Sequence, residues 1–220
     1  MIDFKIAVDC VIIGFDNTDN SLKLLLTKRV NLPEKDKWAL PGGFVIETEP
    51  FEETAKKILK KETALDNIFL RQLGAYSLTD PSENNRIASV VYFALIRYES
   101  LDLDASRQIS EWFPIKGYPR LPFDHGEKVL HTINVLKQLI HNEPMILSEL
   151  LPKKFPLNQL QRFYEELYDR TFDNRNFRKK MKALPYIKRL DEMEKNVSHR
   201  PGHLYRFEKK GYRNLDNLKP

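Results

Sequence analysis

A chain of 220 residues, 41% hydrophobic and 30% charged, has room for one large domain or two modest ones and enough apolar content for a packed core. Its single cysteine, Cys10, excludes an intrachain disulfide framework, and no stretch approaches the ~18 apolar residues that span a bilayer. The net charge of +5 is unevenly spread: residues 1–151 hold 18 Lys and Arg against 22 Asp and Glu, a net −4, whereas residues 152–220 hold 18 against 9, a net +9.

The N-terminus lacks the basic start, apolar run and small-residue cleavage site of a secretory signal. A cytoplasmic location and no membrane partner are therefore expected. The charge asymmetry points to two domains with different partners, the basic one suited to a polyanion. Along the chain, FKIAVDCVIIGF (4–15) is a strand with Cys10 buried in it, DNTDN (16–20) a polar turn, and SLKLLLTKR (21–29) the return strand of a hairpin. After WALPGGF a helix starts near Pro50, which suits a first helical turn. IFLRQLGAYSL (68–78) and ASVVYFALIRY (88–98) read as two more strands, and EWFPI (111–115) as a last short one. Residues 123–142 carry Val129, Ile133, Leu136 and Ile140 at helical spacing, with Asp124 placed to cap the N-terminus.

Past Pro144 the pattern changes to three short helical segments. They are followed by two strand-like runs, IKRLDEMEKN and HLYRFEKK, around a loop containing VSHRPG. In the third helical segment Phe177, Met181 and Leu184 form an apolar stripe at i, i+4 and i+7. Arg175, Arg178, Lys179 and Lys182 are left outside, and Asp173 is placed as N-cap. A short helix with four exposed cations suits a DNA major groove, where arginine reads guanine edges and lysine holds phosphate. Asn174 and Asn176 are either adenine readers or first-turn capping residues. Ser198, His199 and Arg200 would form a wing tip fixed by Pro201 and Gly202, with Arg200 directed at a minor groove. Arg206 either contacts DNA or pairs with a carboxylate.

The stretch GGFVIETEPFEETAKKILKKETAL (42–65) carries the chemical question. From Gly43 it resembles the Nudix box: glycine, five residues, Glu, seven residues, then Arg-Glu-U-x-Glu-Glu-x-Gly-U, with U aliphatic. Gly43, Glu49, Leu59, Glu62 and Leu65 match, whereas Lys57 replaces the arginine, Ile58 and Lys61 replace metal-binding glutamates, and Ala64 replaces the glycine. The resemblance covers roughly residues 1–142 and implies a Nudix fold. Positions 58, 61 and 62 share one helical face, where carboxylates would hold the hard divalent cation that Nudix hydrolysis requires. Isoleucine and lysine there leave one carboxylate, so no catalytic residue, metal or cofactor is expected. The helix then has three readings: a structural helix stapled by Glu52–Lys56 and Glu53–Lys57 pairs, a lysine face for an anionic ligand, or residual metal hydrolysis through Glu52, Glu53 and Glu62.

DNRNFRKKMKAL and RPGHLYRF, with the FDH that opens the 124–142 helix, are similar to the corresponding parts of Nudix-related transcriptional regulators. Such proteins join a non-catalytic Nudix domain to a winged helix, and sense ADP-ribose or sugars and their phosphates. The resemblance implies an α+β chain with a Nudix fold, its mixed sheet between helices, at 1–142. A winged helix-turn-helix would follow at 145–220. The expected partners are double-stranded operator DNA, a small effector and a second copy of the chain. The effector is expected in the former substrate cleft, lined by Asp9, Arg29, Trp38, Phe44 and Arg86. Asp9 requires a partner in an otherwise apolar strand, either an internal arginine or the ligand. His125 is expected to pack at its helix N-terminus. The competing reading is an active diphosphate hydrolase with a basic nucleic-acid-binding extension.

Overall fold

The computed structural model describes residues 3–46, 48–80, 85–97, 109–195, 197 and 200–208. The chain divides into two compact units, Met1–Gly14 with Lys23–Leu136, and Phe15–Leu22 with Lys137–Pro220.

The first unit is built on a sheet whose strands run β1 (Asp3–Asp16), β2 (Ser21–Lys28), β3 (Trp38–Ala39), β4 (Gly42–Phe44), then, after helix α1 (Phe51–Thr63), β5 (Phe69–Asp80), β6 (Asn85–Arg97) and β7 (Ser110–Pro114). Spatially the order is β3-β2-β1-β6-β5, with β4 on β1 and β7 on β2. Alternation along β1 sends its two faces to different neighbours. Val8, Cys10 and Ile12 join Leu25, Val90, Ala94 and Ile96 in a buried cluster with Ala55 and Leu59 of α1. The other face presents Asp9 to Lys128 of α2 (His125–Asn142). The sheet thus lies between α1 and α2, and the cleft opens where β1, β4 and the start of α2 meet. Cys10 is fully buried, and burial pushes its thiol above the usual range.

Pro50 lies one residue outside α1, as an extended N-cap, rather than in its first turn. The lysine pairs of α1 also differ from the expected i, i+4 ladder. Lys56 takes both Glu52, at 2.9 Å, and Glu53, at 2.8 Å, while Lys57 reaches back to Glu49 at 2.6 Å. Glu49 has only 11% of its side chain exposed, and a partly buried carboxylate attracts an ammonium more strongly than the solvated Glu53 does.

In the second unit a 3-10 turn, Pro144–Glu149, leads to β8 (Phe155–Pro156), α3 (Leu157–Tyr168), α4 (Asn174–Ala183), β9 (Ile187–Met193) and β10 (His203–Phe207). The strands form a sheet of order β8-β10-β9. β8, only two residues long, escapes any periodicity argument. Helix α3 buries Leu157, Leu160, Phe163 and Leu167, and Phe163 packs edge-on against Phe15 at 5.3 Å. Asp173 caps α4 by accepting from the Asn176 amide at 2.8 Å. Leu184 stands just past the helix in an extended conformation, as expected before Pro185.

The α3–α4 turn is clamped by Glu165. Its carboxylate accepts from the Phe172 amide at 3.0 Å, from Gln161 at 3.0 Å and from Arg162 at 3.0 Å. Burial alone would raise this carboxyl, but the three donors outweigh it and hold the group below its ordinary value.

Ala64, at the box's glycine position, ends α1 in the left-handed region at φ 56°. A β-carbon is disfavoured there. Ala64→Gly is expected to raise stability by about 1 kcal/mol in urea unfolding.

Candidate effector pocket and nucleic-acid interface

The cleft of the first unit is organised around Asp9. One carboxylate oxygen accepts from Ser89 Oγ at 2.5 Å and from Lys128 Nζ at 2.8 Å. Lys128, 3% exposed, also pairs with Asp124 at 2.7 Å, so a buried ammonium sits between two carboxylates. The partner of Asp9 is therefore a lysine one turn into α2, where an arginine was the internal partner considered. The second Asp9 oxygen lies 3.9 Å from His125 Nε2. His125 is buried at the helix start and accepts from the Leu40 amide through Nδ1 at 3.1 Å. Burial lowers its pKa, Asp9 opposes that shift and Lys128 reinforces it. A ring that accepts at Nδ1 is the neutral, Nε2-protonated tautomer.

β4 pairs with β1 so that Gly42 stands opposite Asp9. A β-carbon at Gly42 would lie 2.5 Å from Asp9 Oδ1 and 2.9 Å from the Val8 carbonyl, so only glycine lets β4 close on the acid. Above this floor is a cavity of about 340 Å³ lined by Asp9, Arg29 and Phe44, together with Tyr76, Phe123 and Lys128. Its size suits a small organic ligand. Arg29 is fixed from two sides: Nε donates to the Pro33 carbonyl at 3.0 Å, and the guanidinium lies 5.0 Å from the centroid of the Phe123 ring. Phe123 adopts φ 57°, a conformation that costs a bulky residue ~1–3 kcal/mol and is concentrated at binding sites.

Of the five expected lining residues, Asp9, Arg29 and Phe44 come together in this cavity. Trp38 and Arg86 do not. Trp38 packs edge-on against Phe113 at 5.0 Å, and Arg86 is exposed on β6, beside Ile87, which does line the cavity. Ser89, Phe123 and Lys128 were missed. Ser89 and Lys128 look unremarkable in sequence, since only the fold sets them against Asp9, whereas the FDH triplet did carry a signal for Phe123.

The face of α1 that would hold a metal is differently occupied. Ile58 packs against the apolar cluster. Glu62, 6% exposed, accepts through Oε2 from Ser110 Oγ at 2.5 Å and Thr27 Oγ1 at 3.3 Å, while Lys61 stands 3.9 Å from Oε1. Glu52 and Glu53 are engaged with Lys56, separately from Glu62. Among the described residues no three His, Cys, Asp or Glu side chains converge on a potential metal position.

In the second unit Phe177 is buried against Tyr164, with ring centroids 5.7 Å apart, and Met181 and Leu184 are half-buried beside it. Asn174, Arg175, Arg178, Lys179 and Lys182 are all exposed along α4. Arg178 and Lys182, one turn apart, share a crevice of about 470 Å³ with Arg200 of the wing, and Glu194 also lines it. The wing is closed at its base by one residue: the Glu194 amide donates to the Gly202 carbonyl, and the Glu194 carboxylate accepts from the Gly202 amide, each at 2.9 Å. Arg206 pairs with Glu208 at 2.6 Å. Ser198 and His199 lie outside the described residues. Three cations around one crevice, beside a row of exposed cations on a short helix, form a surface for a polyanion.

A ligand cavity on a Nudix-type sheet, joined in one chain to a cationic winged helix, defines a two-domain, ligand-responsive transcriptional regulator. Residues 3–131 match the NUDIX domain and residues 147–207 the NrtR DNA-binding winged helix domain; the chain belongs to the NUDIX family in this regulator form. It is 29% identical over 210 residues to the ADPR responsive transcriptional repressor NtrR of Acinetobacter baylyi, covering 93% of this chain and 82% of that protein. The crystal structure of Shewanella oneidensis NrtR complexed with a 27mer DNA superimposes with a TM-score of 0.78 at 26% identity, covering 94% of each chain. The NUDIX domain of the same protein complexed with ADP ribose gives 0.51 at 31% identity, covering 60% of this chain and 87% of that one. The ADP-ribose pyrophosphatase of Methanocaldococcus jannaschii is 36% identical over 125 residues, covering 57% of this chain and 70% of that protein.

Two predictions concern the Asp9 cluster. Lys128→Ala leaves the buried Asp9 and the half-buried Asp124 without their cation and is expected to cost about 3–5 kcal/mol in urea unfolding, whereas Asp9→Asn combined with Lys128→Met is expected to cost less. Because folded His125 is held neutral, the folded state binds fewer protons than the unfolded one as pH falls below 6.5, the ordinary value. Stability should therefore decline from about pH 7 to about pH 5, with a shallower slope in His125→Gln.

Proposed function

We propose that this chain is an ADP-ribose-responsive repressor that binds its effector without hydrolysing it. Sensing is assigned to residues 1–142 and operator binding to residues 145–220, in a cytoplasmic homodimer whose two winged helices engage two half-sites. The observation that carries the reading is the cavity walled by Arg29, Phe123 and Lys128, set beside a box helix whose metal positions hold Ile58 and Lys61. An arginine held against an aromatic ring suits a phosphorylated, ring-bearing ligand. Opposite it, Ile58 offers no donor atom, Lys61 repels a cation, and Glu62 is already engaged by two hydroxyls. These residues do not fit a magnesium ion, and no hydrolytic step is assigned to them.

On α4, the exposed Arg175 and Arg178 are assigned to base edges, with Asn174 beside them. Lys179 and Lys182 are assigned to phosphates, and Arg200 with its wing neighbours Ser198 and His199 to the adjacent backbone or minor groove.

Fluorescence anisotropy on operator DNA tests the reading. ADP-ribose should weaken operator binding by ~5–150-fold, and operator should weaken ADP-ribose binding by the same factor. Arg178→Ala should cost ~1–3 kcal/mol on operator and far less on random duplex. Magnesium-dependent release of AMP from ADP-ribose, abolished by Glu62→Gln, would instead establish the hydrolase.

A further inference from the structure

In the second unit a carboxylate stands among the groups assigned to DNA. Glu194 lines the same crevice as Arg178 and Lys182 of α4 and Arg200 of the wing, although a negative charge there opposes the approach of phosphate. We propose that Glu194 sets the strength of DNA binding in two opposed ways. Its acceptor oxygen holds the wing in position, and its charge keeps the affinity for any duplex below what a neutral acceptor would give. The inference rests on the reading that the second unit binds DNA, and adds to it a residue that tunes the binding.

The positioning role follows from the end of the sheet. β9 and β10 pair as far as His203 opposite Met193, and one residue further on Glu194 Oε2 accepts from the Gly202 amide at 2.9 Å. The approach is close, since a β-carbon at Gly202 would lie 3.0 Å from that oxygen. Gly202 stands two residues after Arg200, so the bond fixes the strand end from which this cation is presented. The intervening Pro201 has a restricted φ, which carries the constraint back toward Arg200. The charge role follows from what the closure requires. Holding an amide needs only an acceptor oxygen, and a glutamine side chain supplies one equally well. The negative charge is therefore not needed to close the wing. Within a crevice of about 470 Å³ it acts on phosphate through space, where ~0.1 M salt screens only beyond ~10 Å. Repulsion of phosphate carries no sequence information, so the effect is common to every duplex.

The test is fluorescence anisotropy of the full-length protein on a labelled random-sequence duplex, at about 50 mM and about 200 mM salt. Glu194→Gln keeps the acceptor and removes the charge, and should bind about two- to fivefold tighter at the lower salt. The gain should shrink at the higher salt. A residue that only closed the wing would show no such gain. Glu194→Ala removes charge and acceptor together, and should bind more weakly than Glu194→Gln at both salts. Asp191→Asn removes a charge of the same sign from an exposed position on β9, on the opposite face by strand alternation, and should gain less than Glu194→Gln. Glu194→Gln binding no tighter than wild type, or a gain matched by Asp191→Asn, would overturn the charge role. Equal affinities of Glu194→Gln and Glu194→Ala would overturn the positioning role. Failure of wild type to bind the duplex at the lower salt would remove the DNA-binding reading, and this inference with it.

Discussion

A buried ammonium between two carboxylates sets the geometry of the first unit. Lys128 is 3% exposed and touches Asp9 at 2.8 Å and Asp124 at 2.7 Å. Charges taken out of water cost several kcal/mol each unless every partner is in place. β1, β6 through Ser89, and the first turns of α2 are therefore held to one relative position. Much of the cleft follows from that. Asp9 occupies the space beside Gly42, the start of α2 is brought to Leu40, and His125 is left neutral and accepting from the Leu40 amide. The cavity is walled by groups already committed to one another, so a ligand meets a preorganised surface and loses less on binding.

The second unit reaches rigidity by another route. Its core is aromatic, with Phe15, Phe163, Tyr164 and Phe177 in edge-on contact. Two carboxylates fix its chain reversals, Glu165 between α3 and α4 and Glu194 at the wing. Neither carboxylate pairs with an α4 cation in these contacts. The exposed arginines and lysines of α4 thus keep their charge outward, as a polyanion-binding surface requires. An acidic first part and a strongly basic last part are the large-scale form of the same separation.

Much of this was legible in the sequence, for identifiable reasons. β1, β2, β5 and β6 carry long apolar runs bounded by polar turns, and α2 and α4 carry strong helical spacing, so local pattern and tertiary role coincide. The altered box was legible because its positions are defined by spacing alone. The cavity wall was only half legible. Asp9 betrayed itself as an acid in an apolar strand, but Lys128 and Ser89 become meaningful only when two faces of a sheet and a helix are assembled. Trp38 stands just before the glycines and Arg86 at the start of β6, and position along the chain does not fix where either side chain goes. Packing sent Trp38 to Phe113, and Arg86 is exposed one residue before Ile87, which lines the cavity. The Glu53–Lys57 pair failed for a comparable reason, since helical spacing cannot register the partly buried Glu49 outside the helix.

The wing's closure by Glu194 bears on how the wing can be altered. One residue closes the end of the β9–β10 ladder, its amide bonded to one side of Gly202 and its carboxylate to the other. The sheet beneath therefore ends at that junction, whatever loop is mounted on it. That loop is nevertheless in touch with α4, because Arg200 and Pro201 line the crevice that Arg178 and Lys182 share. A change of charge at position 200 therefore alters the same cationic surface to which the exposed helix residues belong. For engineering, the Glu194–Gly202 junction marks where β9 and β10 part, and a graft beyond it that replaces Arg200 rewrites the charge lying beside α4.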